Sequence, residues 1–256
     1  QEARALYPVS PEANFRLIQA VLLPQARYAE SIDILDEYNR RDPNNERGYG
    51  FVDFIKRVRD TEAKVRALTA KAQASQTLAP EDAFQLALAY RDLGQNQSAA
   101  VYLEQLAGLP TLPVERVFEV GTLLSSLKKP ESAAKAMDNF MSRAPVNLPS
   151  NMLLEVVRIY GEAGQSEKMA PVLSRYLQQN PKDWEAWLDM ATLCAMRRQS
   201  QQMQYALQRA VEIGKGAAMQ RIQENSILRQ AAAPYLQQLM QQGAGGLAPL
   251  GPLRGR

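Results

Sequence analysis

Small and large apolar residues recur along this chain at a fixed interval. In "LALAYRDLGQNQSAA" (86–100), Ala87 and Ala89 precede Gly94, and Ala99 and Ala100 follow it. Moving on by 34 residues gives "VGTLLSSLKKPESAA" (120–134), where Leu127 replaces Leu93 and Ala133-Ala134 replace Ala99-Ala100. A further 36 residues gives "VVRIYGEAGQSEKMA" (156–170), with Tyr160, Gly164 and Ala170 where Tyr90, Gly94 and Ala100 stood. Another 34 gives "MATLCAMRRQSQQMQ" (190–204), the most degenerate copy, and "IQAVLLPQARYAESI" (18–32) lies 68 residues before the first window. Each window reads as the end of one helix, a tight turn and the start of an antiparallel partner. Small residues near the turn let the two helices approach closely. Larger apolar residues beyond it, such as Leu103, Leu106, Met137, Phe140, Leu173 and Tyr176, fill the space between hairpins. One hairpin cannot bury its own apolar faces, so hairpins at this period stack into a solenoid. Pro43, Pro145 and Pro181 punctuate the ends of second helices, where proline cannot continue the helix.

Two stretches depart from the pattern. Residues 46–79 keep the period, but "FVDFIKRVRDTEAKVRALTAKAQA" has no turn residue. Phe51, Ile55, Val58, Val65, Leu68 and Ala72 form a continuous apolar stripe at helical spacing, which predicts one long helix over about 46–78. It is expected to project or to pack across the array, as a core-packed connecting helix rather than a coiled-coil partner site. Near the other end, "GAAMQRIQENSILRQAAAPYLQQLM" predicts capping helices over 217–242, broken or kinked near Pro234. The final "GAGGLAPLGPLRGR" (243–256) is Gly/Pro-rich without periodicity and is expected to be a flexible tail.

The windows resemble the tetratricopeptide (TPR) repeats. In "PEANFRLIQAVLLPQARYAESIDILDEYNRRDPNN", Phe15 takes the aromatic first position, followed by Ile18, Leu22, Tyr28, Ser31, Leu35 and the closing Asp42-Pro43. In the last copy, "DWEAWLDMATLCAM", Trp187 takes the same aromatic position. Repeat-like units near 12–45, 80–113, 114–149, 150–183 and 184–216 make residues 1–216 one TPR-like array, with the long helix inserted after the first unit. The resemblance implies an all-α fold, a right-handed superhelical solenoid of antiparallel helix hairpins. It also implies a binding module whose first helices line a concave groove. The groove positions of the family are the second, fifth, sixth, ninth, twelfth and thirteenth residues of each repeat. They fall here on Glu81, Phe84 and Leu88, then Glu115, Phe118 and Glu119, then Leu154, Glu155, Arg158 and Glu162, then Glu185, Leu188 and Asp189. Asp92 and Arg91 also fall there, and from the second unit on acids far outnumber the two arginines. The expected groove is therefore acidic, with Phe84, Leu88, Phe118, Leu154 and Leu188 as its apolar floor. The Lys, Asn and Arg set with which chaperone-binding members of the family hold a partner's C-terminal carboxylates is missing. A basic or amphipathic protein segment fits better. The competing reading is a solvated helix face.

Composition removes much other chemistry. The chain of 256 residues has no His, which excludes Ser–His and Cys–His catalysis and imidazole metal sites. Cys194 is the single cysteine and falls at a helix-packing position; no Asp-rich cation loop and no Gly-rich phosphate loop appears. Neither a catalytic residue, a metal ligand nor a cofactor is assigned. Thirty basic residues against 27 acidic ones leave a net charge of +3, too balanced to argue for nucleic acid. Basic side chains do gather at 56–71, where Lys56, Arg57, Arg59, Lys64, Arg66 and Lys71 stand against Asp60 and Glu62. Without interleaved aromatics this second surface does not suit base stacking, and a solvated face is the favoured reading. No apolar run approaches the roughly 20 residues that cross a bilayer. The opening "QEARALYPVS" lacks the charged start and apolar middle of a signal peptide, and because the chain begins with Gln rather than Met, a processed product or a piece of something longer is expected.

The reading favoured by these observations is a non-catalytic protein-interaction scaffold. A C-terminal accessory region of a larger, membrane-bound enzyme is the alternative. An α-helical hydrolase using the groove carboxylates, among which Glu115 and Glu119 stand four apart on one helix face, is the second alternative and the thinner one.

Overall fold

The reason for the recurring small residues lies in how each turn closes. The computed structural model describes residues 10–75 and 78–241; Gln1–Val9, 76–77 and 242–256, including the expected Gly/Pro-rich tail, lie outside the described residues. Among the described residues there are twelve α-helices and no strand. The chain forms two compact units, Gln1–Leu112 and Pro113–Arg256.

In the first unit, α1 (Pro11–Leu17) is capped by the Ser10 hydroxyl, which accepts from the Ala13 N–H at 3.4 Å. The helix widens to a π segment over Ile18–Leu22 and tightens to a 3-10 turn over Leu23–Gln25. Pro24 accounts for this: it has no N–H to give to the carbonyl four residues back, and its ring crowds that carbonyl. Next come α2 (Tyr28–Arg41) and α3 (Glu46–Ser75), a single helix of 30 residues. Phe15, Ile18, Leu22, Ile34, Leu35, Val52 and Ile55 form one core between α1, α2 and the first turns of α3. Further along, α3 packs on α4 (Pro80–Asp92), where Lys64 donates to Gln85 Oε1 at 2.7 Å and Lys71 pairs with Asp82. The hairpin of α4 with α5 (Asn96–Leu106) buries Ala87 and Ala89 together with Ala99 and Ala100.

The second unit holds three such hairpins: α6 (Val114–Ser126) with α7 (Pro130–Arg143), α8 (Ser150–Glu162) with α9 (Ser166–Gln179), and α10 (Trp184–Met196) with α11 (Ser200–Glu224). A last helix, α12 (Ser226–Gln241), packs on α10 and α11. Gly121 faces α7 so closely that a side-chain carbon there would meet the Met137 methyl and Ala136. Polar ties join the elements: Asp138 accepts from the Tyr160 hydroxyl at 2.9 Å and from Lys168 at 2.6 Å, and Asp183 caps α10 while accepting from the Tyr176 hydroxyl at 2.6 Å.

One backbone device closes every hairpin. At Gly94 (φ 73°) and Gly164 (φ 68°) the chain enters the left-handed region, and the next N–H reaches back five residues, Gln95 to Tyr90 O (2.8 Å) and Gln165 to Tyr160 O (2.9 Å). This is the Schellman closure, which satisfies carbonyls that a helix end leaves bare. The other hairpins make the same bond around residues that are not glycine. Ala26, Lys128 and Arg198 sit at φ 54°, 60° and 57°, with Arg27 bonding to Leu22 O, Lys129 to Leu124 O and Gln199 to Cys194 O at 3.0, 2.9 and 2.8 Å.

The C-terminal helices break in a different place from the one the sequence suggested. Pro234 lies inside α12, not at its end. The breaks fall at Asn225, whose side chain accepts from the Ile227 and Leu228 N–H groups at 3.0 and 3.1 Å, and at Lys215 inside α11. Lys215 holds φ 48°, ψ −124°, a conformation suited to glycine. Beside it, a side-chain carbon on Gly214 would lie 2.6 Å from the Trp184 ring and 2.9 Å from Ala218.

Urea unfolding distinguishes the two kinds of glycine. Gly94→Ala is expected to cost about 1 kcal/mol through backbone conformation alone, because nothing lies within 4 Å of the added carbon. Gly214→Ala is expected to cost about 2 kcal/mol by overpacking against a rigid indole. Lys215→Gly should instead raise stability by about 1 kcal/mol. Equal midpoints for all three would refute this account of the turns.

Candidate functional site

The expected groove residues do not form one surface of uniform character. In the first unit, Glu81 is exposed on α4, where it accepts from Gln85 Nε2 at 3.0 Å, and Leu88 is half-buried. Phe84, expected on an accessible apolar floor, is 1% exposed and belongs to the core. Its place in the helix turns it under α4, because apolar positions around the aromatic one are shared between the groove side and the packing side of the helix.

In the second unit the acids lie on α6, α8 and α10. Glu115 and Glu119 are exposed on α6, and Phe118 between them is half-buried against Phe140, with ring centroids 5.0 Å apart. Arg116 pairs with Glu119 at 2.5 Å. On α8, Arg158 forks between two carboxylates, reaching Glu155 at 2.5 Å and also pairing with Glu162, which in turn accepts from the Ser125 hydroxyl of α6 at 2.5 Å. Hydrogen bonding to Arg158 holds the Glu155 carboxyl below the usual carboxylate range, against the effect of its burial. The Arg158 guanidinium is stabilised as a cation chiefly by Glu155. Leu154 stands beside this network and is 40% exposed. Glu119, Glu155 and Glu162 are therefore largely neutralised in place. The charge pattern read from positions alone missed Arg116, which falls outside the groove register.

Acids without an ion pair remain on α10. Glu185 and Asp189 flank Leu188, and among the described residues no ion pair reaches Glu115, Glu185 or Asp189. Leu188 is 4% exposed and serves the core rather than an open floor. Glu185 and Asp189 open onto a recess of about 410 Å³, closed on the far side by Arg221, Glu224, Asn225 and Leu228. Those four residues come from the end of α11, the break at Asn225 and the start of α12. The breaks at Lys215 and Asn225 bring them here, and no repeat register places them. Asn225 also donates to the Thr192 hydroxyl of α10 at 3.3 Å, and Arg221 pairs with Glu224 at 3.5 Å. Asp189 as a residue reaches solvent, but the recess walls desolvate its carboxyl. That burial, with Asp183 and Glu185 nearby, pushes its pKa up against the opposing pull of Arg221.

The second expected surface is differently used. Lys56, Arg57, Arg59, Lys64 and Arg66 are all exposed on α3. Lys64 is spent on α4 through Gln85, and Arg59 pairs with its neighbour Asp60 at 2.9 Å. Glu62, between them, hydrogen-bonds the buried Tyr28, whose hydroxyl is pushed up to about 12, first by burial and then by Glu62. Part of this basic helix is thus occupied in fixing α3 to its neighbours.

Cys194 is buried, its Sγ 4.0 Å from Gln202 Oε1, and burial pushes the thiol up, away from the reactive thiolate. Among the described residues no group of three or more His, Cys, Asp or Glu side chains is placed to hold a metal ion, and no helix is long and apolar enough to cross a membrane.

These elements define an all-α protein of TPR-like helix hairpins. Comparison with known proteins finds no matching family model and no curated protein that matches. Solved structures with similar helix arrangements include a crystal structure of MamA, at 16% identity and TM-score 0.41, covering 62% of this chain and 92% of that one. A tetratricopeptide repeat protein from Parabacteroides merdae has 14% identity and TM-score 0.35, over 92% of this chain and 95% of the other. The TPR2AB domain of yeast Sti1, solved as a pHSP90 complex, has 12% identity and TM-score 0.35, over 82% and 94%. The hairpins of this chain, rather than likenesses of this size, carry the assignment of class.

The crowding at Asp189 has a stability consequence with a definite sign. A carboxyl whose folded-state pKa lies above its unfolded value binds its proton more tightly when folded, so its charge destabilises the fold at neutral pH and not at acid pH. Asp189→Asn is expected to melt at higher temperature than the parent at pH 7. The difference should close as pH falls below about 4, where the unfolded carboxyl is also protonated. A parent and variant with equal melting temperatures at pH 7 would show that the recess does not strain this charge.

Proposed function

We propose that this chain is a non-catalytic protein-interaction module, and that its second unit takes a basic or amphipathic segment of another protein on the side of α6, α8 and α10. The observation that supports this most directly is the recess beside α10. Glu185 and Asp189 stand there without ion pairs, so an arginine or lysine side chain entering the recess would gain a charge partner. Arg221 only partly offsets these acids. Leu154 on α8 offers an exposed apolar contact. Glu119, Glu155 and Glu162, already paired with Arg116 and Arg158, add shape and hydrogen-bonding capacity more than net charge.

Fluorescence anisotropy with a labelled helical peptide carrying arginine and leucine on one face tests this reading, with its glutamate counterpart as control. The arginine peptide is expected to bind the full chain and to weaken as salt rises. Glu185→Lys/Asp189→Lys, with an unchanged far-ultraviolet spectrum, is expected to weaken it by about tenfold or more. Equal binding by the variant, or equal binding of the glutamate peptide, would overturn the reading.

A further inference from the structure

The first unit carries a recess of its own, about 510 Å³ in volume, between α2 and α3. Asp33, Asp36, Asn39 and Arg40 line it from α2, and Tyr49 lines it from α3. Asp33, Asp36 and Arg40 are exposed, and among the described residues no ion pair or hydrogen bond reaches their side chains. Asn39 is different: it is 2% exposed, and its amide is held by a short polar chain. The Gly48 N–H donates to Asn45 Oδ1 at 3.1 Å, which leaves Asn45 Nδ2 to donate to Asn39 Oδ1 at 3.2 Å. That order fixes the orientation of both amides. A side-chain carbon on Gly48 would lie 2.1 Å from Asn39 Oδ1, so this chain of bonds requires glycine there. The donor left over, Asn39 Nδ2, is buried and has no hydrogen-bond partner among the described residues. A buried donor without an acceptor is costly, and few native proteins keep one.

The groups around this donor define what would satisfy it. Asp33 and Asp36 stand about one turn apart on α2, a spacing at which side chains are neighbours, and offer unused carboxylate oxygens to a cation. Arg40 offsets one of the two charges, so a ligand of single positive charge matches the recess. Asn39 follows Asp36 at the same spacing, so the acceptor it needs belongs beside the cation. A lysine or arginine side chain carries its charge at the tip of an apolar stem, with no acceptor next to it. The free amino terminus of a polypeptide has both, an ammonium group and, one carbon away, its first carbonyl; capture of such termini is a known mode of peptide recognition. Tyr49, 48% exposed on the α3 side, gives ring surface to the first side chain. Nδ2 itself is covered, and the wall side chains free to swing aside from it are Arg40 and Tyr49, both exposed and unpaired among the described residues.

We propose that the recess between α2 and α3 binds the free amino terminus of a polypeptide. The ammonium group sits between Asp33 and Asp36, the first carbonyl accepts from Asn39 Nδ2, and Arg40 donates to the carbonyl that follows. This site belongs to the first unit and does not rest on the acidic recess beside α10, so either can fail without the other.

Calorimetric titration of the full chain at pH 7 with the tripeptide amide Leu-Ala-Ala-NH2 tests this. Three control ligands each remove one feature. The N-acetyl form of the same peptide lacks the ammonium group. N-acetyl-Lys-Ala-Ala-NH2 moves the charge to a side-chain tip, and 3-methylbutylamine is leucine without its carbonyl. The free tripeptide is expected to bind, and each control to bind about tenfold more weakly or worse. Affinity for the tripeptide should fall as pH rises through about 8, where an α-amino group loses its proton. Asp33→Asn/Asp36→Asn, at exposed helix positions, is expected to weaken it by about tenfold with an unchanged far-ultraviolet spectrum. No binding of the free tripeptide, equal binding of any control, an affinity flat across pH 8, or one indifferent to Asp33→Asn/Asp36→Asn would overturn the proposal.

Discussion

Each hairpin depends on one residue held in the left-handed backbone region. Ala26, Gly94, Lys128, Gly164 and Arg198 all occupy it, and each is followed by an N–H that reaches back five residues to a helix-end carbonyl. That bond reverses the chain within two or three residues, which brings the helices close at the turn and demands small side chains there. Ala99-Ala100 and Ala133-Ala134 are therefore consequences of the turn geometry. At Lys128 and Arg198 the non-glycine backbone costs about 1–2 kcal/mol in isolation. The packing of the hairpins they close offsets that cost.

Charge in the second unit is organised by helix rather than spread along a groove. On α6 and α8, Glu119 is held by Arg116, and Glu155 and Glu162 by Arg158, while Ser125 and Glu162 tie α8 to α6. On α10 itself no arginine stands beside Glu185 and Asp189, and neither forms an ion pair among the described residues; Arg221 of α11 acts on Asp189 only against the effect of its burial. Two recesses of this unit share α10 yet differ in kind: Glu185 and Asp189 turn into one, Trp187 and Met190 into the other. Alternation around a helix of 3.6 residues per turn separates them.

Several features were legible because they depend on local pattern. The hairpins follow from small residues beside the turns, and the long α3 follows from an apolar stripe without a breaker. Others were hidden for identifiable reasons. Ala26, Lys128 and Arg198 conceal three left-handed turns, since the conformation is marked in sequence only when glycine supplies it. Pro234 suggested a break that the structure places instead at Lys215 and Asn225, where close packing of Gly214 on Trp184 and the capping side chain of Asn225 decide. Phe84 and Leu188 suggested a greasy floor, but both are core.

By itself the sequence determined the fold class, the hairpin period and which helices carry acids, because these depend on spacing within one or two turns. Only the tertiary structure decided which acids remain unneutralised and where cavities open. Those depend on side chains far apart in sequence: Ser125 with Glu162, Asn225 with Thr192, and Glu185 and Asp189 with Arg221. The break at Lys215 turns the end of α11 back toward α10, and no periodicity records that direction. Pairwise charge and cavity shape are set by distances across the fold, and a linear pattern does not contain them.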